Sequence, residues 1–437
     1  MKVIEAEILS LSSDCRGIAR QDGKVWFVDF ALPTEVVRFR VIKNKNSHGF
    51  GVVEEVLKRS PSRTEPHCEY FGICGGCALQ HIEASYQNVI KQQVLLDQLE
   101  RDSGIVPQQV LPPLGGSPWG YRRKARLGVR LVPKKGGVLV GFREKNKNYV
   151  TNLDRCLTLD QRISHLLPSL KRLITQLSRP DRIPQVEVAA GDNQIALVFR
   201  HLEALSGNDC TLLEEFARSH DACVYLQSGG VGTVKPLYPE EPPMLEYRFS
   251  KNGIRVQFSP TDFIQVNSST NELMVQRAVE LLELKPADNV LDLFCGVGNL
   301  TLTLASEASS VLGVEGDPGL VQRARSNVRL NKIGNAKVEH FDLYSDSIET
   351  WDPGPFNKVL IDPPRSGALN VCKWLVGSLK PERVIYISCN PATLARDLNL
   401  LVNEHGYILK RIGLIDMFPQ TPHIESIAEL ELSELKA

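Results

Sequence analysis

The sequence lacks long hydrophobic runs, and its first residues do not read as a secretion signal. No apolar stretch approaches the ~18 consecutive residues of a membrane-spanning helix, so we expect no membrane association. Glu5 and Glu7 stand where a signal peptide needs an apolar core, which predicts a cytoplasmic protein. Because disulfides are rare in the cytoplasm, the 10 cysteines indicate metal ligation or catalysis instead.

The sequence also lacks an excess of either charge. Its 51 Lys and Arg residues balance 51 Asp and Glu residues, which argues against a strongly basic nucleic-acid-binding protein. Basic residues nevertheless cluster between Tyr121 and Lys147, where Glu144 is the only acid. Such a segment is typical of phosphate binding, although a solvated basic surface would have the same composition.

A chain of 437 residues is too long for one hydrophobic core, and its patterning changes along its length. Residues 1–58 hold short alternating runs that predict four or five strands of a small OB-type barrel. Residues 59–67 look like a linker, and residues 121–258 have the mixed pattern of an α+β domain with one clear helix near 160–177. From about residue 259, strands and helices alternate regularly, which predicts an α/β, Rossmann-like doubly wound sheet of about seven strands. Its first helix, 271–284, is predicted to begin at a capping box formed by Ser269 and Glu272.

A glycine-containing turn follows the first strand of this predicted sheet. The segment runs Asp292-Leu-Phe-Cys-Gly-Val-Gly-Asn299, and Glu315 ends the next strand, where an acid can accept hydrogen bonds from ribose hydroxyls. A dinucleotide-binding turn needs a third glycine, but position 301 is Thr. S-adenosylmethionine has no pyrophosphate to seat on the helix, and Asp292 suits its positive sulfonium. We therefore favour S-adenosylmethionine over a dinucleotide.

Two later strands end in chemically active groups. Ile361-Asp-Pro-Pro-Arg365 places an acid and an arginine at the end of one strand, in a pattern that base-modifying methyltransferases share. The run from Val384 ends in Ser388-Cys-Asn-Pro391, which predicts a strand–turn–helix with Asn390 as the cap. Cys389 would then lie at the edge where open α/β sheets bind ligands, placed as a nucleophile. The alternative is a small buried hydrophobic residue.

Four further cysteines have the spacing of a metal site: Cys68, Cys74, Cys77 and Cys156. Four thiolates hold either a tetrahedral zinc ion or a [4Fe–4S] cluster, and the spacing matches neither standard ferredoxin pattern. The residues alone therefore leave the metal open. Because four cysteines would fill every ligand position and leave none open for a substrate, we interpret the site as structural.

Together these motifs, with Phe263-Ile-Gln-Val-Asn267 and Thr421-Pro-His-Ile-Glu425, resemble the RNA uracil-5-methyltransferases of the TrmA/RumA type. The resemblance covers nearly the whole chain. It implies a TRAM barrel at 1–58 and a central [4Fe–4S] domain of residues 59–80 and 112–258. It assigns residues 81–111 and 259–437 to the methyltransferase domain.

The resemblance also implies roles for individual residues. Cys389 is the nucleophile and Glu425 the base, and the cysteine set binds the [4Fe–4S] cluster. The residues expected to line the S-adenosylmethionine site are Gln265, Phe294, Asn299, Glu315, Asp342 and Asp362.

Barrel and cysteine set together resemble the RumA branch, which modifies large-subunit ribosomal RNA, because the tRNA-specific branch lacks both. The expected partner is therefore 23S ribosomal RNA, bound by a monomer. The alternatives are a uracil-5-methyltransferase acting on tRNA or another rRNA site, and a non-catalytic RNA-binding protein with the same fold. The intact pair of Cys389 and Glu425 argues against the last.

Overall fold

A computed structural model describes residues 2–433, beginning with an N-terminal barrel. Six strands form it in the order β1-β5-β6-β4-β3-β2. Alternate residues point inward, so that Trp26, Val28 and Phe39 fill the core. The sequence predicted four or five strands, and the extra one is very short. The strands are β1 (Val3–Glu7), β2 (Ser10–Leu11), β3 (Gly17–Gln21), β4 (Lys24–Asp29), β5 (Val36–Asn44) and β6 (His48–Lys58).

Helix α1 (Ala84–Ser103) and strand β7 (Gln109–Val110) follow the barrel but pack against the C-terminal part of the chain. Leu95 and Leu99 of α1 are buried in the core of the C-terminal sheet. Ile90, nearer the start of the helix, packs instead in a cluster with Cys15 and Leu32 of the barrel domain.

A second six-stranded sheet lies in the middle of the chain, in the order β13-β12-β11-β10-β8-β9. Two helices, α2 (Gln161–Gln176) and α3 (Gly207–Ser219), cover it. Asp160 caps α2 by accepting a hydrogen bond from the Arg162 amide. The strands are β8 (Lys124–Val132), β9 (Gly137–Gly141), β10 (Gln185–Ala190), β11 (Ile195–Arg200), β12 (Ala222–Gln227) and β13 (Val234–Tyr238). A separate hairpin, β14 (Leu245–Arg248) and β15 (Arg255–Phe258), leads into the last part.

The C-terminal sheet has eight strands in the order β18-β17-β16-β19-β20-β22-β21-β7. The five strands from β18 to β20 are parallel, and β22 and β21 form an antiparallel hairpin beyond them. The eighth strand, β7, comes from the first quarter of the chain. The other strands are β16 (Asn289–Leu293), β17 (Ser310–Glu315), β18 (Ala336–His340), β19 (Lys358–Ile361), β20 (Arg383–Ser388), β21 (Tyr407–Ile415) and β22 (Glu425–Leu432).

Helices cover both faces of this sheet, as the predicted doubly wound architecture requires. They are α4 (Ser268–Leu282), α5 (Thr301–Leu304), α6 (Pro318–Leu330), α7 (Leu369–Trp374) and α8 (Pro391–Leu398).

The predicted start of α4 is wrong. The helix is capped by Asn267, whose side chain accepts from the Thr270 amide, and not by Ser269. Glu272 is diverted to the amide and hydroxyl of Ser250. The capping box therefore does not form, because Ser250, which is distant in sequence, binds the carboxylate of Glu272.

Candidate active site

Cys389 lies on the turn between β20 and α8, at the carboxyl end of the parallel strands. Asn390 caps the helix by accepting a 3.1 Å hydrogen bond from the Ala392 amide, and Pro391 occupies its first turn. The predicted strand–turn–helix is confirmed. Cys389 opens onto a cleft that Arg365 and His423 also line.

Glu425 reaches Cys389 through the pairing of two strands. In the antiparallel register of β20 and β22, Ser388 pairs with Ser426, so the next positions along each strand are Cys389 and Glu425. The carboxyl is buried, with 4% of the residue exposed. This burial and the negative charge of Asp362 raise the Glu425 pKa to about 8, and Arg365 opposes the rise. A carboxyl with that pKa can accept a proton from substrate once the pH approaches 8.

The surroundings of Cys389 disfavour the free thiolate. Burial, followed by the charges of Glu425 and Asp362, raises the Cys389 pKa to about 11, against the lowering effect of Arg365. The resting sulfur is therefore a thiol at neutral pH. Forming the nucleophile requires either a proton acceptor in the site or added positive charge.

Three acids lie at neighbouring strand ends: Asp292 near the end of β16, Glu315 at the end of β17 and Asp362 directly after β19. Burial raises the pKa of both Asp292 and Asp362 to about 7, and the charge of Asp292 adds to the shift at Asp362. Thr301 donates a hydrogen bond to Oδ2 of Asp292, but Oδ1 is buried and finds no partner among residues 2–433. An unpaired buried oxygen among acids suits a positively charged ligand.

The turn after β16 closes tightly beside these acids. Gly296 and Gly298 have φ values of 56° and 90°, in the left-handed region that glycine tolerates. The Gly296 amide donates a 3.1 Å hydrogen bond to Glu315, whose carboxylate also accepts from the Asp317 amide. Glu315 thus shapes the turn and keeps lone pairs for a further donor.

Phe294 has a strained backbone at the same place, with a φ of 66° that a bulky residue rarely adopts. Its ring lies 5.6 Å from that of Tyr344, whose hydroxyl donates to the Gly367 carbonyl. A single tyrosine after β18 carries no motif, so Tyr344 was not predicted from the sequence. Asp342 is exposed, and its carboxylate accepts from the Tyr344 amide at 3.0 Å.

Asn299 is engaged within the protein. It exchanges two 2.9 Å hydrogen bonds with Asn271, and its oxygen also accepts from the Tyr247 hydroxyl. One N–H of its amide stays available to a ligand. Gln265, partly buried, lies in the irregular segment before α4.

The four predicted metal-site cysteines come together between the barrel and the central sheet. Cys68, Cys74, Cys77 and Cys156 are free thiols that line one cavity. Within residues 2–433, no group of three or more His, Cys, Asp or Glu side chains is placed to hold a metal ion. The thiols therefore share a cavity without converging on a single-ion site.

Some side chains of the basic segment that begins at Tyr121 already form ion pairs within the protein. Arg123 forms a 2.6 Å ion pair with Asp192, and Lys124 lies 3.4 Å from Glu187. The exposed positions Arg130, Lys134 and Lys135 form no ion pair within the part of the chain that the structure describes. In the same range, none of the helices combines the length with the apolar character that a membrane-spanning helix needs.

Comparison with known proteins agrees with this geometry. Residues 243–432 match the tRNA (Uracil-5-)-methyltransferase family, and residues 1–53 match the TRAM domain. A relative from Alkalilimnicola ehrlichii, named 23S rRNA (uracil(1939)-C(5))-methyltransferase RlmD, is 48% identical over 97% of this chain and 95% of its own length. The chain belongs to the RNA uracil-5-methyltransferase family. A relative from Bordetella avium with the same name is 48% identical over 97% of this chain and 90% of its own length.

A solved structure from this family has the same overall fold. The Pyrococcus abyssi tRNA (uracil-54, C5)-methyltransferase, in complex with S-adenosyl-L-homocysteine, superposes with a TM-score of 0.74 at 24% identity. The match covers 98% of this chain and 100% of that one. The methyltransferase fold and the N-terminal TRAM domain predicted from the sequence are therefore confirmed.

Proposed function

We propose that this protein methylates C5 of a uridine in 23S ribosomal RNA, with S-adenosylmethionine as the methyl donor. The names of its relatives support the substrate. The observation that carries the proposal is the strand register that sets Glu425 beside Cys389, with Asp362 and Arg365 acting on both groups electrostatically. A binding protein without catalysis has no need for a nucleophile and a buried base at one point.

In this proposal Cys389 activates the uracil ring for methylation. Cys389 first loses its thiol proton to solvent in the cleft. The thiolate then adds to C6 of uracil, and the C5–C6 π electrons move to give an enolate-like C5 that can attack an electrophile. When bound, S-adenosylmethionine supplies the electrophilic methyl group. Glu425 then accepts the C5 proton, the C5–C6 double bond forms again, and the C6–S bond breaks to release Cys389. No redox step enters this route.

The three strand-end acids and the glycine turn would hold the methyl donor. Asp292 and Asp362 favour the positive sulfonium, whose charge would in turn lower the pKa of both carboxyls. Glu315 would accept from the ribose hydroxyls, and Phe294 would contact the adenine face, with Gln265, Asn299 and Asp342 as further contacts. The orphaned Oδ1 of Asp292 supports a ligand at this point.

Mapping 5-methyluridine in the RNA of cells that lack this protein tests the proposal. We expect one uridine of 23S rRNA to lose its methyl group and to regain it with the wild-type gene but not with a Cys389→Ala gene. Loss of 5-methyluridine from tRNA alone would instead support the tRNA alternative.

We further propose that the four thiols hold a [4Fe–4S] cluster. Zinc needs all four sulfurs at about 2.3 Å from one point, whereas in a cluster each thiolate binds a different iron atom. The four thiols line one cavity, as either group requires, and the family resemblance favours the cluster. Burial raises the Cys77 pKa to about 12, so the group's positive charge is needed to form the thiolates.

Protein purified without oxygen should therefore be brown and contain about four iron and four sulfide per chain. Cys77→Ala should lose the colour, whereas Cys210→Ala, at a cysteine outside the cavity, should keep it. A colourless wild-type protein with stoichiometric zinc would show that the assignment is wrong.

The domain boundaries given above stay a proposal, and the packing of α1 and β7 on the C-terminal sheet supports them.

Within the barrel domain we propose an RNA-stacking surface formed by Phe27, His48 and Phe50 on the outer face. The rings of Phe27 and Phe50 are stacked at 5.6 Å, and Arg16 lies 5.3 Å from the Phe50 centroid. Stacked aromatic residues beside basic ones are the usual binding surface for single-stranded RNA.

The barrel also borders the cleft of Cys389, because Ser13 lines that cleft. Ser13 and Arg16 belong to the same short loop between β2 and β3. An RNA strand that leaves the cleft along this loop would reach the stacking surface next. This continuity supports one path for the RNA over both.

Phe27→Ala with Phe50→Ala should weaken RNA binding by roughly 5- to 100-fold and leave its salt dependence unchanged, since stacking contributes ~1–3 kcal/mol per base without phosphate contacts. Charge reversal at Lys134 and Lys135 should instead reduce the salt slope. Titration of labelled RNA at several salt concentrations measures both. Leu202→Ala, at another exposed apolar residue, is the control, and unchanged affinity in the Phe27/Phe50 variant would refute the stacking surface.

A further inference from the structure

The segment Asp416–Gln420, which precedes Glu425, is held at three successive carbonyls. The Phe418 carbonyl accepts from Lys91, the Pro419 carbonyl from the Tyr121 hydroxyl, and the Gln420 carbonyl from two backbone amides. Those amides belong to Ala78 and Leu79, at 2.9 and 3.1 Å. They directly follow Cys77, the last residue of the first cysteine group.

Helix α1 holds the same segment through side chains. Lys91 and Asp416 form a buried ion pair at 2.7 Å, and Lys91 is fully buried. Gln87 donates to the Gln420 side chain and accepts from the Gln420 amide, both at 3.0 Å. Gln87 also donates to the Leu79 carbonyl at 3.1 Å, so that one amide ties helix, cysteine loop and Gln420 together.

This arrangement holds the Gln420 backbone at a φ of 68°, which a residue with a side chain seldom adopts. Strain of this kind persists only where the surroundings over-determine the backbone. The contacts hold the segment between β21 and β22, and β22 begins shortly after it, at Glu425.

We propose that Gln420 and Gln87 are positioning residues for Glu425, and that through them the cysteine loop sets the placement of the base. This inference rests on the proposed role of Glu425. Neither residue touches the reacting atoms. Because Cys389 lies on the turn between β20 and α8, which neither residue contacts, its addition to uracil should not depend on them.

The test separates two steps of the reaction. Trapping by RNA that contains 5-fluorouridine needs Cys389 and methyl transfer but no proton removal, whereas turnover on normal RNA needs Glu425. In Gln87→Leu we expect turnover to fall about 10- to 100-fold, the scale of a displacement near 1 Å, while the trapping rate stays within about twofold. A methylated protein–RNA adduct should accumulate on normal RNA.

Gln93→Leu is the matched control, since Gln93 is an exposed glutamine of the same helix whose side chain donates to Asp97, on the same helix, at 2.7 Å. Gln420→Gly provides a second variant, because glycine accepts the backbone conformation while losing the side-chain contacts. Equal falls in trapping and turnover, or unchanged turnover, in both variants would overturn the inference. If Glu425→Gln itself turned over normally, the base assignment would fall, and this inference with it.

Discussion

Cys389→Ala should abolish methylation and leave S-adenosylmethionine binding nearly intact. Without the thiol nothing adds to C6, and C5 of uracil is too poor a nucleophile to take the methyl group. Loss of a nucleophile in a covalent mechanism costs several powers of ten, so turnover should fall by at least about 10⁴-fold. Single-turnover transfer of labelled methyl to RNA measures the loss, and calorimetry measures cofactor binding.

The control for this variant is Cys210→Ala, which removes a half-buried thiol on α3, away from the cleft. It should methylate RNA at the wild-type rate. Retained turnover in Cys389→Ala, or a denaturation-resistant adduct with RNA that contains 5-fluorouridine, would exclude Cys389 as the nucleophile.

Glu425→Gln should stop the reaction one step later. Addition of Cys389 and methyl transfer can still occur, but the C5 proton has no acceptor. A methylated RNA–protein adduct should therefore accumulate and survive denaturing electrophoresis, while turnover falls roughly 10²- to 10⁴-fold. Wild-type protein should form a comparable adduct with 5-fluorouridine, because fluorine replaces the proton that must leave.

The pH dependence provides an independent check on the same residue. Since burial raises the Glu425 pKa to about 8, the carboxyl is mostly protonated below that pH and cannot act as a base. Wild-type turnover should rise with pH toward 8, and the adduct fraction should fall over the same range. Normal turnover in Glu425→Gln would identify some other group as the base.

The sequence predicted where the proposed strand-end residues lie, because chain order and parallel topology decide their positions. Asp292, Glu315, Asp362 and Cys389 each follow a buried β-branched or aliphatic run, and such runs end at one edge of a doubly wound sheet. The cap at Asn390 was predictable for the same local reason. Residue patterns were enough to place these residues because the local secondary-structure preference and the sheet topology lead to the same positions.

Other features depend on contacts between distant segments, which no local pattern encodes. The amide of Asn299 pairs with Asn271 and Tyr247, and Lys124 of the basic segment is drawn to Glu187. The placement of Glu425 follows from an antiparallel register, which the sequence assigned only by family resemblance. Tyr344 carried no signal at all, since its role comes from the loops it joins.

The eighth strand of the C-terminal sheet has a consequence for how the chain becomes folded. Strand β7 and helix α1 leave the ribosome long before β21, the strand that both contact. Until β21 is made, the apolar face of α1 that carries Leu95 and Leu99 has no partner, so this region matures last despite being synthesised early. A fragment beginning at residue 259 would expose the matching surface permanently. We therefore expect such a fragment to aggregate, and to become soluble when residues 81–111 are supplied as a separate peptide.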